Sequence, residues 1–316
     1  MSDVIPLAGD RARPSSLQPV TKRVSFVYFE KAVVHRDENA IVAQSEEGEV
    51  HIPAATIAVL LLGPGTRVTH QAMNLLGESG VTVCWTGGSA TPIYAYAPAL
   101  ATSTKLLEAQ AKLVSRPRDR LAVARRMYAL RFPGDDVTKA TMQALRGMEG
   151  ARVRRAYRDA AETYGVVWSG RRYDPSDWSA GDPINKALSV ANSTLYGAVH
   201  AAIVSIGCSP GLGFVHTGHN LSFVYDIADL YKAEVTIPSA FQATSGGERS
   251  LAGRTRTLVR AMLHTQRILE RVVADIHWLL LDEDRATERD EEERVMLWDG
   301  GQGTVSSGIA YDEESP

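Results

Sequence analysis

The chain has 316 residues, 44% of them hydrophobic and 22% charged, with a formal net charge of −3. This is the composition of a soluble globular protein with room for one large domain or two ordinary ones. No apolar run reaches the ~20 residues of a membrane span, the N-terminus lacks the apolar core of a signal peptide, and no CxxC suggests zinc, so a reducing cytoplasm with Cys84 and Cys208 as buried thiols is expected.

Residues 1–22 are polar, carry Pro6, Pro14 and Pro19, and read as irregular. From Val24 the runs VSFVYF, AVVHR, AIVAQS and VHI predict strands, split by DEN and EEGE turns. IAVLLL predicts a further strand ending at GPG. THQAMNLLGESG predicts a short helix with Thr69 as N-cap and Gly80 as stop. VTVCW and PIYAY complete a β-rich domain over 23–98, for which a dimerisation role is expected below. From Ser103 the period becomes helical. TKLLEAQAKLV, DRLAVARRMYALRF and ATMQALRGMEGARVRRAYRDAAETY predict helices, with Leu145, Met148, Val153 and Tyr157 as a core-facing stripe. After the polar loop SGRRYDPSDWSAGDP, Pro183 opens a long, nearly all-apolar helix that must lie buried. SFVYDIADLYK reads as strand-like at SFVY and helical from about Asp226. TRTLVRAMLHTQRILERVVADIHWLLL predicts one final amphipathic helix. The fold class is therefore α+β, a small β-sheet domain followed by a larger all-α catalytic domain over 99–281, with a disordered tail at 282–316.

The net charge averages two unlike regions. From residue 282 onward there are 12 acidic and 3 basic residues, so residues 1–281 carry 31 basic against 25 acidic. Residues 105–172 alone hold 16 basic and 7 acidic. A basic centre beside an acidic tail suits a polyanion partner such as nucleic acid, and equally suits solvated helix surfaces.

The chemistry concentrates in GFVHTGHNLSFVYDIADLYK. Asp226 and Asp229 stand three apart, on one face of a helix. Two like charges side by side repel, so a raised pKa, a partner such as Lys232, helix-end capping or a divalent cation is required. Oxygen ligands suit magnesium or manganese, and an added imidazole favours manganese over magnesium. His216 comes near these aspartates if the chain turns between Thr217 and Asn220, while a satisfied core histidine is the plainer reading. His219, in the loop itself, is a candidate phosphate contact. Glu149, among Arg146, Arg152, Arg154 and Arg155, is either an ion pair with Arg146 or Arg152 or a carboxylate on a phosphate-facing surface.

EGARVRRAY, WSGRRYDPSDW and GLGFVHTGHNLSFVYDIADLYK together resemble the CRISPR-associated adaptation integrase, the "Cas one" family in its type I-E form, over about residues 22–281. The resemblance implies a divalent-metal site (Mg2+ or Mn2+) of Glu149, His216 and Asp229, with Asp226 beside it and also needed for activity. It implies a catalytic-region tyrosine at Tyr196, whose plainer reading is a buried aromatic, and DNA contacts from Arg67 and Lys232; Arg146, Arg152 and His219 are added as candidate DNA contacts. The implied partners are double-stranded DNA, both fragment and repeat array, a second copy of the chain, and the small "Cas two" protein; no membrane is implied. Two positions depart from the family pattern. SATPIYAY lacks an expected basic residue, and Glu30 stands near the place of a DNA-stacking tyrosine, with Tyr28 and Phe29 beside it. The implied reaction is insertion of short fragments by 3′-hydroxyl transesterification, with endonuclease capability. The rival readings are a metal hydrolase of another phosphoester and a non-catalytic DNA-binding scaffold.

Overall fold

The structure is a computed structural model describing residues 25–46, 48–88, 92–99, 103–171, 182–281, 296–299 and 303–306. Segment 1–22, most of the loop after Trp168, and most of the acidic tail lie outside the described residues.

The strand-rich part runs β1 (Ser25–Phe29), β2 (Val33–Asp37), β3 (Ala40–Ser45), β4 (Gly48–Pro53), β5 (Ile57–Leu62), β6 (Arg67–Val68), helix α1 (His70–Glu78), β7 (Thr82–Thr86) and β8 (Ile93–Ala97). Thr69 caps α1 as expected, its hydroxyl accepting from the Ala72 amide, and Gly80 follows with φ 65°. These strands form two four-stranded sheets. One has the order β1-β5-β7-β8, parallel except for β8. The other has the order β4-β3-β2-β6, antiparallel except for the β2–β6 pair.

The helical part comprises α2 (Lys105–Ser115), α3 (Pro117–Arg131), α4 (Met142–Tyr164), α5 (Pro183–Ser205), α6 (Ser222–Asp229), α7 (Thr236–Ser245), α8 (Leu251–Thr265) and α9 (Ile268–Leu281). Asp182 caps α5, accepting from the Asn185 amide. The apolarity of α5 has the expected cause: it is the central helix, contacted by α6, α7, α8 and α9. Its length and composition would allow it to cross a membrane, but 72% of its apolar window is buried inside the protein. β5 is apolar along its whole length because both faces are covered. Ile57, Leu60 and Leu62 pack under α1, while Ala58, Val59 and Leu61 join Ala201 and Val204 of α5. That second contact docks the sheet onto the helical part.

Four differences from the sequence reading have physical causes. SFVY is helical, because α6 begins at Ser222 and turns Phe223, Val224 and Ile227 into the core. Burial of an i, i+1, i+4 face outweighs the strand preference of Phe, Val and Tyr. The single final helix is two, because Arg267 takes φ 49° between α8 and α9. No glycine or proline marks that break. Helix α7 was not anticipated; Pro238 lies in its first turn, where its missing N–H leaves no helical bond unmade. In the acidic tail, β9 (Met296–Asp299) pairs antiparallel with β10 (Gly303–Ser306). Within the tail expected to be disordered, these eight residues pair as strands, in the strand-prone runs MLW and TVS.

Candidate active site

His216 lies on the loop between α5 and α6, and its position follows from how that loop is held. At Gly213 an added Cβ would meet the His216 carbonyl oxygen at 2.6 Å and Ser222 at 2.8 Å, so only glycine allows the loop to close on itself. Asp226 of α6, its side chain fully buried, takes the loop's amides. Its Oδ2 accepts from the Phe214 N–H at 2.5 Å and the Val215 N–H at 3.0 Å; its Oδ1 accepts from the His216 N–H at 2.8 Å. The same Oδ1 lies 2.7 Å from His216 Nδ1. The loop carbonyls turn the other way: Arg120 Nε donates to Phe214 O at 2.7 Å and Arg146 Nη2 to Val215 O at 3.2 Å. Further back, the wholly buried Gln110 of α2 donates to Ser209 O at 2.9 Å and Leu212 O at 3.0 Å. It accepts from the Ser209 N–H at 2.8 Å. Four helices thus hold the loop. With Nδ1–H donated to Asp226, Nε2 is the ring nitrogen left available. The Asp226 bond also holds the His216 pKa above the ordinary imidazole value, against a smaller opposing effect of burial.

Glu149 sits on α4. Its Oε2 accepts from the Tyr128 hydroxyl at 2.6 Å and its Oε1 from Arg131 Nη1 at 2.5 Å. Tyr128 and Arg131 are three apart on α3 and share a face. The ion pair with Arg146 or Arg152, one of the two alternatives the sequence left open, does not form, because α3 brings its own arginine to the carboxylate. Arg152 instead pairs with Asp135 and lies 4.6 Å over the Phe132 ring. Burial, then the Glu149 bond, pushes the Tyr128 hydroxyl well above the ordinary phenol range.

Asp229 ends α6, with Lys232 Nζ 2.6 Å from its Oδ1. Lys232 also lies 5.0 Å from the Tyr196 ring centroid. Burial alone would lower the Lys232 pKa, but Asp229 and Tyr196 outweigh it and leave it raised. The two aspartates thus avoid mutual repulsion by having separate partners, backbone amides for Asp226 and an ammonium for Asp229. Tyr225 gathers the remaining rings, with Tyr196 at 5.0 Å, His219 at 5.3 Å and His216 at 5.8 Å. His219 Nδ1 accepts from the Leu221 N–H at 3.1 Å. Arg67 is exposed on β6, in the second sheet. Tyr28 hydrogen-bonds Glu30 at 2.5 Å and lies beneath Arg260 at 5.4 Å.

Glu149, His216, Asp226 and Asp229 line one cleft, together with Tyr128 and Arg131. Among the described residues, no three His, Cys, Asp or Glu side chains converge as a ready-made metal cluster. The donors fit a hard divalent ion in kind, two carboxylates and an imidazole facing one space, while Arg131 and Lys232 stand against the carboxylates. Sequence reasoning missed Tyr128, Arg131 and Gln110. The i, i+3 spacing of YALR could have flagged the first two; nothing local marks Gln110, whose partners are about a hundred residues away.

Carboxylates and an imidazole on one cleft, backed by basic side chains, are the equipment of enzymes that act on phosphodiesters. Comparison with known proteins narrows that class. The family model described as CRISPR associated protein Cas1 matches residues 26–132 and 135–267. A CRISPR-associated endonuclease Cas1 of Clostridium sp. (strain SY8519) is 46% identical over 298 residues, spanning 94% of this chain and 98% of that protein. A CRISPR-associated endonuclease Cas1 2 of Thermus thermophilus is 42% identical over 298 residues, 93% of this chain and 91% of that protein. A solved structure described as a TtCas1–DNA complex superposes with a TM-score of 0.72 at 44% identity, covering 82% of this chain and 97% of that one. This chain belongs to the CRISPR-associated Cas1 family. The expected fold class, and the expected enzyme class of a CRISPR-adaptation endonuclease and integrase, both hold.

Proposed function

We propose that this protein joins short DNA fragments to a repeat array at the Glu149–His216–Asp229 cleft, as a type I-E member of its family. One observation carries the reading: a histidine and two carboxylates distant in sequence line a single cleft in a chain of the Cas1 family. In the reaction, a fragment 3′-oxygen forms a bond to an array phosphorus as the bond to the array's own 3′-oxygen breaks. The attacking hydroxyl loses its proton and the departing oxygen gains one. Phosphodiester bonds are conserved, so no external energy source is needed.

Glu149, His216 Nε2 and Asp229 would hold Mg2+ or Mn2+, which when bound polarises the scissile phosphate. Asp226 aims His216 through Nδ1 rather than serving as a ligand, since its oxygens already accept four hydrogen bonds. Lys232, Tyr196 and Arg146 border the site and would steady phosphate oxygens. Arg67, Arg152 and His219 would contact DNA further out, giving affinity without sequence reading. Residues 23–98 would form a homodimer contact and 99–281 the catalytic domain, with the small "Cas two" protein bridging dimers on double-stranded DNA, in the cytoplasm.

The test is strand transfer on branched DNA carrying a free 3′-hydroxyl, with Mn2+, with Mg2+ and with chelator, using wild type and His216→Ala. Metal-dependent joining lost in the folded variant is the expected result. Intact DNA binding without joining by wild type would instead favour a scaffold whose ion pairs are structural.

A further inference from the structure

We propose that Arg131 and Lys232 are resident counter-ions of the cleft, occupying the carboxylate oxygens that a divalent ion needs and so weakening the site's hold on that ion. The inference rests on the metal-site reading above.

Each carboxylate proposed as a ligand has one oxygen held by a cationic side chain, Glu149 Oε1 by Arg131 at 2.5 Å and Asp229 Oδ1 by Lys232 at 2.6 Å. The Arg131 side chain is only 7% exposed, and its Nε has no hydrogen-bond partner among the described residues. A guanidinium buried for purely structural reasons is normally hydrogen-bonded throughout. This one bonds Glu149 through Nη1 and lies 5.2 Å from the Phe132 ring centroid, with Nε unpaired among the described residues. Tyr128 meanwhile holds the other oxygen of Glu149, Oε2, at 2.6 Å. The carboxylate is therefore aimed from α3 by a neutral group, whichever cation faces Oε1. The division of labour is clear at the third donor, too: the ring of His216 is oriented by the anionic Asp226, not by a cation.

A divalent ion entering this cleft must displace or share with two fixed positive charges. Positive charge a few ångströms from the ion opposes its binding in a partly desolvated site. Anionic DNA would relieve that opposition by giving both side chains an alternative partner. Metal and DNA would then bind with positive coupling, each strengthening the other to the same degree.

The experiment is Mn2+ titration of the full chain without DNA, read by calorimetry, for wild type, Arg131→Gln, Arg131→Lys and Glu149→Gln, with thermal melts to confirm folding. Arg131→Gln is expected to bind Mn2+ about tenfold more tightly, and Arg131→Lys within about threefold of wild type. Glu149→Gln is expected to bind at least about tenfold more weakly. Equal or weaker binding by folded Arg131→Gln, beside weakened Glu149→Gln, overturns the counter-ion role and leaves the metal site standing. Glu149→Gln binding like wild type removes the metal-site reading and this inference with it. Should Arg131→Gln not fold, Lys232→Gln carries the same test at Asp229, and unchanged or weaker Mn2+ binding overturns the proposal.

Discussion

Asp226 holds His216 twice, at the backbone N–H (2.8 Å) and at ring Nδ1 (2.7 Å), through a single carboxylate oxygen. Its other oxygen holds the two preceding amides. One buried group thus decides both the path of the loop and which ring nitrogen faces the cleft.

Asp226→Asn should therefore damage stability and catalysis together. An amide NH2 replaces an acceptor that several N–H groups require, leaving buried donors unpaired at a cost of about 2–4 kcal/mol. A fall in Tm of roughly 5–10 °C is expected by differential scanning fluorimetry, with strand transfer down at least ~100-fold. His216→Ala should instead abolish joining with little change in Tm. Near wild-type strand transfer by Asp226→Asn, assayed well below its lowered Tm, would mean that Asp226 acts only through stability.

The raised pKa of His216 gives the metal-free protein a signed pH dependence. The folded value lies above the unfolded one, so the His216–Asp226 interaction contributes fully below the unfolded pKa of about 6.5 and is lost as pH rises through the folded value. The ring is 44% exposed, so screening limits the contribution to under about 1 kcal/mol. Melts with chelator at about pH 5.5 and about pH 8.5 should show wild type exceeding His216→Gln by ~2–3 °C at the lower pH and by less at the higher. A gap that does not shrink means the imidazole does not change charge between these two pH values.

Gln110→Leu tests the loop from its far end. It leaves Ser209 and Leu212 backbone groups unpaired in the interior, at about 1–3 kcal/mol. The expected outcome is a Tm lower by roughly 3–8 °C and a joining rate reduced about tenfold with DNA affinity unchanged. An unchanged joining rate would show that the brackets from Asp226, Arg120 and Arg146 suffice without it.

Removing residues 282–316 deletes 12 acidic and 3 basic residues and leaves a basic chain. If the tail competes with DNA for that basic surface, truncation raises DNA affinity at low salt and steepens its salt dependence. Unchanged affinity and slope in a fluorescence-anisotropy titration would end the shielding idea.

What the sequence determined by itself was whatever local period and chain order encode. Strand runs, the Thr69 cap, the Pro183 start and the buried apolar helix were readable because each depends on neighbours within a few residues. The family was readable from three motifs, and with it the candidate trio Glu149, His216 and Asp229. Tertiary structure alone decided what those side chains touch. Arg131 meets Glu149 across 18 positions, Gln110 meets Ser209 across 99, and α6 is helical where its residues prefer strand. Electrostatic pairing and burial depend on distance in space, and a one-dimensional pattern carries no record of which helix will deliver a charge to a given carboxylate.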